Sequence, residues 1–118
     1  MVYRPYVDLE TRTYDFAKNV RLLVKAIRIS TLNREDISQL LRSSGSVGAN
    51  YIEANEALGK KDFLMRMRIS RKEAKESAYW IKLILDCHDI NNKNEGLRLY
   101  NEAIELKKIL SAIIEKSK

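Results

Sequence analysis

Apolar residues along this chain recur every three or four positions, which is the spacing of one face of an α-helix. The first segment with this spacing carries Phe16, Val20, Leu23, Val24 and Ile27. No segment alternates apolar and polar residues as a half-buried strand would. The pattern therefore predicts an all-α protein.

Three further segments follow the same period. The second begins near residues 33–36, the third runs from Asp62 to Cys87, and the fourth opens at Asn92. Glu95 lies three residues after Asn92, as in a capping box. The sequence thus predicts four helices.

The connections between these segments, TLNR, LGKK and HDINN, are short. Short connections favour antiparallel neighbours, so we predict an up-down-up-down antiparallel four-helix bundle over residues 11–118. Residues 1–10, which include Tyr3 and Tyr6, are predicted to form an extended N-terminal arm.

The sequence RSSGSVGANY at residues 42–51 has the composition of a linker, yet the apolar phase of the second segment crosses it without a break. The residues that lie on this one helical face are Ile37, Leu40, Leu41, Ser44, Val47, Gly48, Tyr51, Ala54 and Leu58. We therefore predict one continuous helix rather than a hinge or a phosphate-binding loop, since no strand precedes the glycines.

A glycine inside a helix indicates that another backbone comes close to it. We expect Gly48 to face the small residues of the third helix, so that alanine is tolerated at this position and leucine is not. These small residues are Ser70, Ala74, Ser77 and Ala78.

Composition favours a single domain in a reducing compartment. The 118 residues suffice for one core, and the lone Cys87 is expected to be a buried, inert thiol. No secretory apolar region or membrane-spanning run is present, so we expect a cytoplasmic protein without membrane contact.

The net charge of +6 and the pI near 9.5 suit a polyanionic partner, although a solvated helical surface would have the same balance. Four cations recur at three, four and three residues on the first helix, and a second set on the third helix is interleaved with acidic residues. We predict that both sets contact nucleic acid phosphates. The residues are Lys18, Arg21, Lys25 and Arg28, then Arg68, Arg71, Lys72 and Lys75.

Four polar residues could meet between the second and third helices, where paired carboxylates would permit acid-base or metal chemistry. They are Asn50, Glu53, Glu73 and Glu76. A structural network with Arg42, Arg68 or Lys72 is the favoured interpretation, because di-iron bundles need a Glu-x-x-His motif that this chain lacks.

The chain has one histidine, His88, which is expected to interact with the C-terminal dipole of its helix. Some helical nucleases carry Arg followed by four to six residues and then His, and this motif is not matched. We therefore predict no metal, no cofactor and no catalytic residues.

A second apolar stripe on the third helix lies beside the main one. It contains Ile69, Trp80 and Leu83, with Tyr79 adjacent. A helix that is apolar on two sides needs two partners, so this stripe is either a wide core face or an interface between protomers.

The segment QLLRSSGSVGANYIEANEA, followed by KKDFLMRMRISRKEAKESAYWIKLI, resembles the bacterial four helix bundle protein family. Its members include proteins encoded within intervening sequences of large-subunit ribosomal RNA genes. The resemblance is carried by a Ser-Val-x-x-Asn-x-x-Glu-Ala motif, then by an Asp-Phe pair and an acidic segment of the third helix. The residues are Ser46, Val47, Asn50, Glu53 and Ala54, then Asp62 and Phe63, then Glu73 to Glu76. Gly48 lies within the same motif and is expected to be structural.

The resemblance implies a homo-oligomeric ring, commonly a pentamer. It also implies kinship to the accessory variability determinant of diversity-generating retroelements, a basic ring that binds nucleic acid and a reverse transcriptase. Our hypothesis is a non-enzymatic protein that binds RNA or DNA, with ribosomal RNA or a reverse transcriptase as candidate partners. A homo-oligomeric protein scaffold without nucleic acid is the alternative, and a nuclease is a weaker one.

Overall fold

The computed structural model describes residues 8–118, and within this range it contains four helices and no strand. The helices are α1 (Leu9–Lys25), α2 (Arg34–Asn55), α3 (Lys60–Cys87) and α4 (Lys93–Ser117). The all-α prediction is thus confirmed. Helix α2 runs unbroken through residues 42–51, as the apolar phase predicted.

Each helix packs against the next in sequence, and α1 also packs against α4. The four apolar stripes meet in one core, in which the largest fully buried side chain is Phe16 of α1. Leu40, Met67 and Leu106 bring the other three helices into the same core. The helices are therefore held together mainly by burial of these stripes.

The N-terminal boundary differs from the expectation. Helix α1 begins at Leu9, whose side chain is fully buried, and the Asp8 carboxylate accepts a hydrogen bond from the Thr11 amide at 3.3 Å. Capping by Asp8 and burial of Leu9 start the helix two residues earlier than residue 11, where the bundle was predicted to begin. Residues 1–7 of that arm, with Tyr3 and Tyr6, lie outside the described residues.

Two other ends also differ from the predicted ones. Leu58, expected to continue the α2 stripe, lies beyond the end of α2 and is fully exposed. Asn92 occupies the N-cap position of α4 but makes no side-chain capping bond, and Glu95 pairs with Arg98 instead. The position of the α4 start was predicted correctly, whereas its capping box does not form.

Helices α2 and α3 meet through small polar side chains. Ser70 donates a hydrogen bond to the Val47 carbonyl oxygen at 2.7 Å, and Ser77 donates to the Ser43 hydroxyl at 3.0 Å. All three serines are buried, so these bonds satisfy groups that would otherwise be costly to bury. The small residues of α3 therefore do approach α2, as predicted, but beside Gly48 rather than on it.

Gly48 faces α1, not α3. A Cβ atom at this position would lie 2.9 Å from the Thr13 hydroxyl oxygen and 3.3 Å from the Thr13 Cβ. Because Thr13 is short, β-branched and fully buried, it has little freedom to move away. The expectation that alanine is tolerated here assumed a different neighbour, and the contact with Thr13 argues against it.

We predict that Gly48→Ala destabilises the protein by about 1 kcal/mol, because overpacking of roughly 1–3 kcal/mol outweighs a gain of about 1 kcal/mol in helix propensity. Urea denaturation measures this difference. Gly45→Ala is the matched control, because its Cβ would meet only the flexible end of Arg21, 3.1 Å away.

Adding Thr13→Ala to Gly48→Ala should recover part of the loss, since it removes the closest atom. A Gly48→Ala protein at least as stable as both the wild type and Gly45→Ala would contradict the close approach of α1.

Candidate nucleic-acid interface

The third helix brings four of the predicted cations to one cleft. Arg68, Arg71, Lys72 and Lys75 line it together with Lys107 and Ser111 of α4. Residues spaced by three and four lie on one face of a helix, and that face borders α4 here. We call this group of five cations, with Ser111, the basic cleft.

The basic cleft contains no ion pair among the described residues. Among residues 8–118, none of its five cations lies within 4 Å of a carboxylate oxygen. Lys72 and Lys75 are exposed, and Arg71 and Lys107 are half-buried. The cleft therefore has positive charge that is open to an anionic ligand.

Lys107 was missed by sequence reasoning. It lies on α4 beside the α3 cations, so its place in the cleft depends on how these two helices pack against each other. The α4 apolar stripe alone does not reveal this neighbour.

Three of the four cations predicted on the first helix, Lys18, Arg21 and Lys25, border the same depression, whereas the fourth lies outside the helix. Helix α1 ends at Lys25, so Arg28 lies beyond it in the connection, where its carbonyl oxygen accepts a hydrogen bond from Asn33. Lys18 and Lys25 are exposed and border a shallow depression with Tyr14 and Leu22.

Arg21 is engaged with α2. Its guanidinium donates to the carbonyl oxygen of Leu41 at 3.1 Å and to the hydroxyl of Ser44 at 3.3 Å, as well as to Ala17 within α1. A phosphate could bind this guanidinium only by replacing these carbonyl and hydroxyl oxygens as hydrogen-bond acceptors. Arg21 therefore acts first as a link between α1 and α2.

The polar residues between α2 and α3 form two separate networks. In the first, Arg42 bonds to the Glu73 carboxylate at 3.3 Å and also to Glu76, and the Trp80 indole donates to Glu76 at 3.1 Å. Glu73 is only 6% exposed, and its second oxygen, Oε1, has no hydrogen-bond partner among the described residues. Arg42 is thus the cation that compensates a buried carboxylate.

In the second network, the Asn50 amide donates to the carbonyl and hydroxyl oxygens of Ser46 at 3.0 and 2.9 Å. Its own oxygen accepts from Arg66 at 3.3 Å, rather than from Arg68 or Lys72. Glu53 is exposed. The four polar residues that were expected to meet therefore do not form one cluster.

The histidine and the cysteine, which could take part in catalysis or metal binding, are not part of a site. His88 Nε2 lies 2.8 Å from an Asp36 carboxylate oxygen, so it joins the end of α3 to the start of α2. Cys87 is exposed, contrary to the expected burial, because it lies on the last turn of α3 away from the core stripe. Residues 8–118 contain no group of three or more side chains suited to hold a metal ion.

The predicted interface residues on α3 vary in exposure. Tyr79 is 59% exposed and packs edge-on against Trp80, with ring centroids 5.0 Å apart. Ile69, Trp80 and Leu83 are half-buried. The stripe therefore contributes to the protomer's own packing and still presents aromatic surface to solvent.

No helix within residues 8–118 combines the length and the apolar character needed to cross a bilayer.

Comparison with known proteins gives a family and a related structure. The profile of the 23S rRNA-intervening sequence protein matches residues 7–112. A crystal structure of a protein with unknown function from the S23 ribosomal protein family of Bacteroides thetaiotaomicron VPI-5482 is similar, with a TM-score of 0.77 and 30% sequence identity. The match covers 93% of this chain and 97% of that chain. No curated protein matches the chain.

We predict that acid weakens the fold partly through Glu76. Burial alone would raise the pKa of this carboxyl, but hydrogen bonds from Trp80 and Arg42, with the charges of Arg42 and Lys72, hold the pKa below its ordinary value of 4.5. A lowered folded-state pKa means that the stabilisation is present above pH 4.5 and is lost as pH falls through the lowered value.

Urea denaturation from pH 7 to pH 3 tests this effect. The destabilisation caused by Glu76→Gln should be largest at pH 7 and should shrink in acid, and Arg42→Gln should also flatten the pH dependence. Equal destabilisation by Glu76→Gln at both ends of the range would contradict the prediction.

Proposed function

Because this chain belongs to the 23S rRNA-intervening sequence protein family, we propose that it binds RNA or DNA by holding phosphates in the basic cleft. The observation that carries this proposal is the convergence on one cleft of five cations from two helices, none of which forms a salt bridge within residues 8–118. Binding of this kind neutralises phosphates and releases counterions, so it needs no base-specific contacts.

The two arginines of the cleft suit bidentate contact with phosphate oxygens, and its lysines supply mobile point charges. Ser111 adds a hydroxyl that can donate to an oxygen of the same ligand. Lys18 and Lys25 are proposed as additional phosphate contacts, with Arg28 beside them. Arg21 is a weaker candidate, because α2 already holds its guanidinium.

We assign this role to binding rather than to catalysis. The only histidine is held by Asp36, and the buried Glu73 is held by Arg42. These groups have structural partners, which supports a non-enzymatic protein that acts with ribosomal RNA or beside a protein such as a reverse transcriptase. A cytoplasmic location suits either partner.

We also propose an up-down-up-down order of helices and assembly into a homo-oligomeric ring. Contacts between α2 and α3 run from Asp36 with His88 to Asn50 with Arg66, so the partner number falls as the α2 number rises. This register supports antiparallel packing. The exposed Tyr79 and the adjacent half-buried residues Ile69, Trp80 and Leu83 offer the surface for assembly, for which the family resemblance favours a pentamer.

The first prediction for this function compares two variants of equal charge. The cleft variant carries Lys72→Gln, Lys75→Gln and Lys107→Gln, and the control carries Lys60→Gln, Lys61→Gln and Lys93→Gln. Both remove three charges from a net charge of +6. Because each lost phosphate contact lowers the log-log salt slope by about 0.9 on duplex DNA, the cleft variant should have a shallower slope and about tenfold weaker binding.

Fluorescence anisotropy with labelled RNA and DNA, from about 50 to 200 mM salt, measures both quantities. The control variant should stay within about threefold of the wild type, since it removes charge outside the cleft. Equal weakening of the two variants would mean that net charge alone binds the ligand. No binding by the wild type at the lowest salt would replace this function with the protein-scaffold alternative.

The second prediction concerns assembly. Light scattering of the full chain at micromolar concentration should give a mass several times that of the 13.7 kDa protomer. Tyr79→Glu with Leu83→Glu should lower that mass, because a charge in an apolar interface is left unpaired. Leu97→Glu, a change at another exposed leucine, should leave it unchanged. A monomeric wild type would contradict the ring.

A further inference from the structure

Helices α1 and α2 border an apolar groove that the core does not fill. Its walls are Tyr14, which is 66% exposed, and Ile52, which is 43% exposed. Between them lie Ala17, Gly45 and Ala49, whose small side chains leave a volume of about 520 Å³. We call this surface the α1–α2 groove. Its volume lies within the range of small-molecule sites, which is about 300–1,000 Å³.

The groove continues into a second depression, which is lined by cations. Tyr14 and Ala17 border both, and the depression adds Lys18, Arg21 and Lys25 of α1. Lys18 and Lys25 are exposed, and neither forms a salt bridge within residues 8–118. An apolar surface and a positively charged surface therefore meet at the ring of Tyr14.

Arg21 holds a positive charge in place where the two surfaces join. A Cβ atom at Gly45 would lie 3.1 Å from the Arg21 Nη2 atom, so the guanidinium borders the floor of the groove. Its hydrogen bonds to Ala17, Leu41 and Ser44 fix its position. Although these acceptors engage the guanidinium, its charge still attracts an anion toward the neighbouring lysines.

The two ends of the combined surface differ in charge. Glu10 and Thr11 lie at one end of the groove, near the start of α1, and the cations lie toward the end of that helix. Lys18 comes about one helical turn, or about 6 Å, after Tyr14. This arrangement matches a ligand with an aromatic group beside an anionic group. An unpaired nucleotide has this chemistry, since its base is an aromatic ring and its phosphate is an anion.

We propose that the α1–α2 groove binds an unpaired base of single-stranded RNA or DNA, with the base stacked on Tyr14 and its phosphate beside Lys18 and Lys25. This inference rests on the nucleic-acid binding proposed above and adds the form of the ligand. The basic cleft is lined by cations and one serine, so it holds phosphates of a duplex or of a single strand. The groove selects the single strand, because the bases of a duplex are paired and stacked on one another and cannot reach Tyr14.

Fluorescence anisotropy tests the proposal by comparing a labelled single strand of about 12 nucleotides with the same strand annealed to its complement. The groove variants are Tyr14→Leu, which removes the ring, and Ala49→Leu, which fills the floor, and neither changes the net charge. Ala112→Leu on α4 is the matched control for Ala49→Leu, because both alanines are exposed residues of a helix. Tyr14→Phe keeps the ring and should bind as the wild type does. Circular dichroism verifies that each variant keeps its helices.

Both groove variants should bind the single strand about tenfold more weakly than the wild type, which is the loss expected for one stacked base. Their affinity for the duplex should stay within about twofold of the wild type, because the basic cleft is unchanged. Tyr14→Leu should leave the salt slope of single-strand binding unchanged, since stacking neutralises no phosphate. Lys18→Gln with Lys25→Gln should lower that slope.

Equal weakening of single-strand and duplex binding by the groove variants would overturn the proposal, and so would unchanged single-strand binding in both. Wild-type binding to the duplex but not to the single strand would also overturn it, and would leave phosphate binding in the basic cleft standing. Binding of neither form by the wild type would remove both proposals. An acidic peptide containing tyrosine that loses affinity in Ala49→Leu, while the single strand does not, would assign the groove to a protein partner instead.

Discussion

The close approach of α2 to both of its neighbours is the contact on which the rest of the structure depends. On one side Gly48 leaves room for Thr13 of α1, and on the other Ser70 of α3 bonds directly to the Val47 carbonyl. Larger residues at these positions would separate the helices and expose the core stripe between them. Residues 42–51 have a linker-like composition because a helix between two close neighbours needs small side chains.

The packing of α3 between α2 and α4 also separates its charged residues onto two faces. The face toward α2 carries Glu73 and Glu76, and Arg42 of α2 compensates both carboxylates. The face toward α4 carries the cations of the basic cleft, which form no salt bridge within residues 8–118. A helix with interleaved acids and bases in its sequence thereby gains one positive side, and that side is the one we propose for nucleic acid.

The sequence predicted the helices well because each has a clear apolar period, and even the glycines of α2 did not break it. It could not identify the neighbour of Gly48, since a period gives the face of a helix but not which helix lies against it. For the same reason it did not show that Arg21, an exposed cation, reaches the Leu41 carbonyl. Lys107 was missed, and Cys87 was wrongly expected to be buried, because both depend on where neighbouring helices lie.

The central claim is that phosphates bind in the basic cleft, and lysine footprinting tests it most directly. The protein is acetylated briefly with and without a structured RNA, and mass spectrometry then gives the modification rate of each lysine. The account predicts that RNA slows modification of Lys72, Lys75 and Lys107 by several fold, while Lys60, Lys61 and Lys93 change little. Equal protection of both sets, or protection of the second set alone, would contradict it.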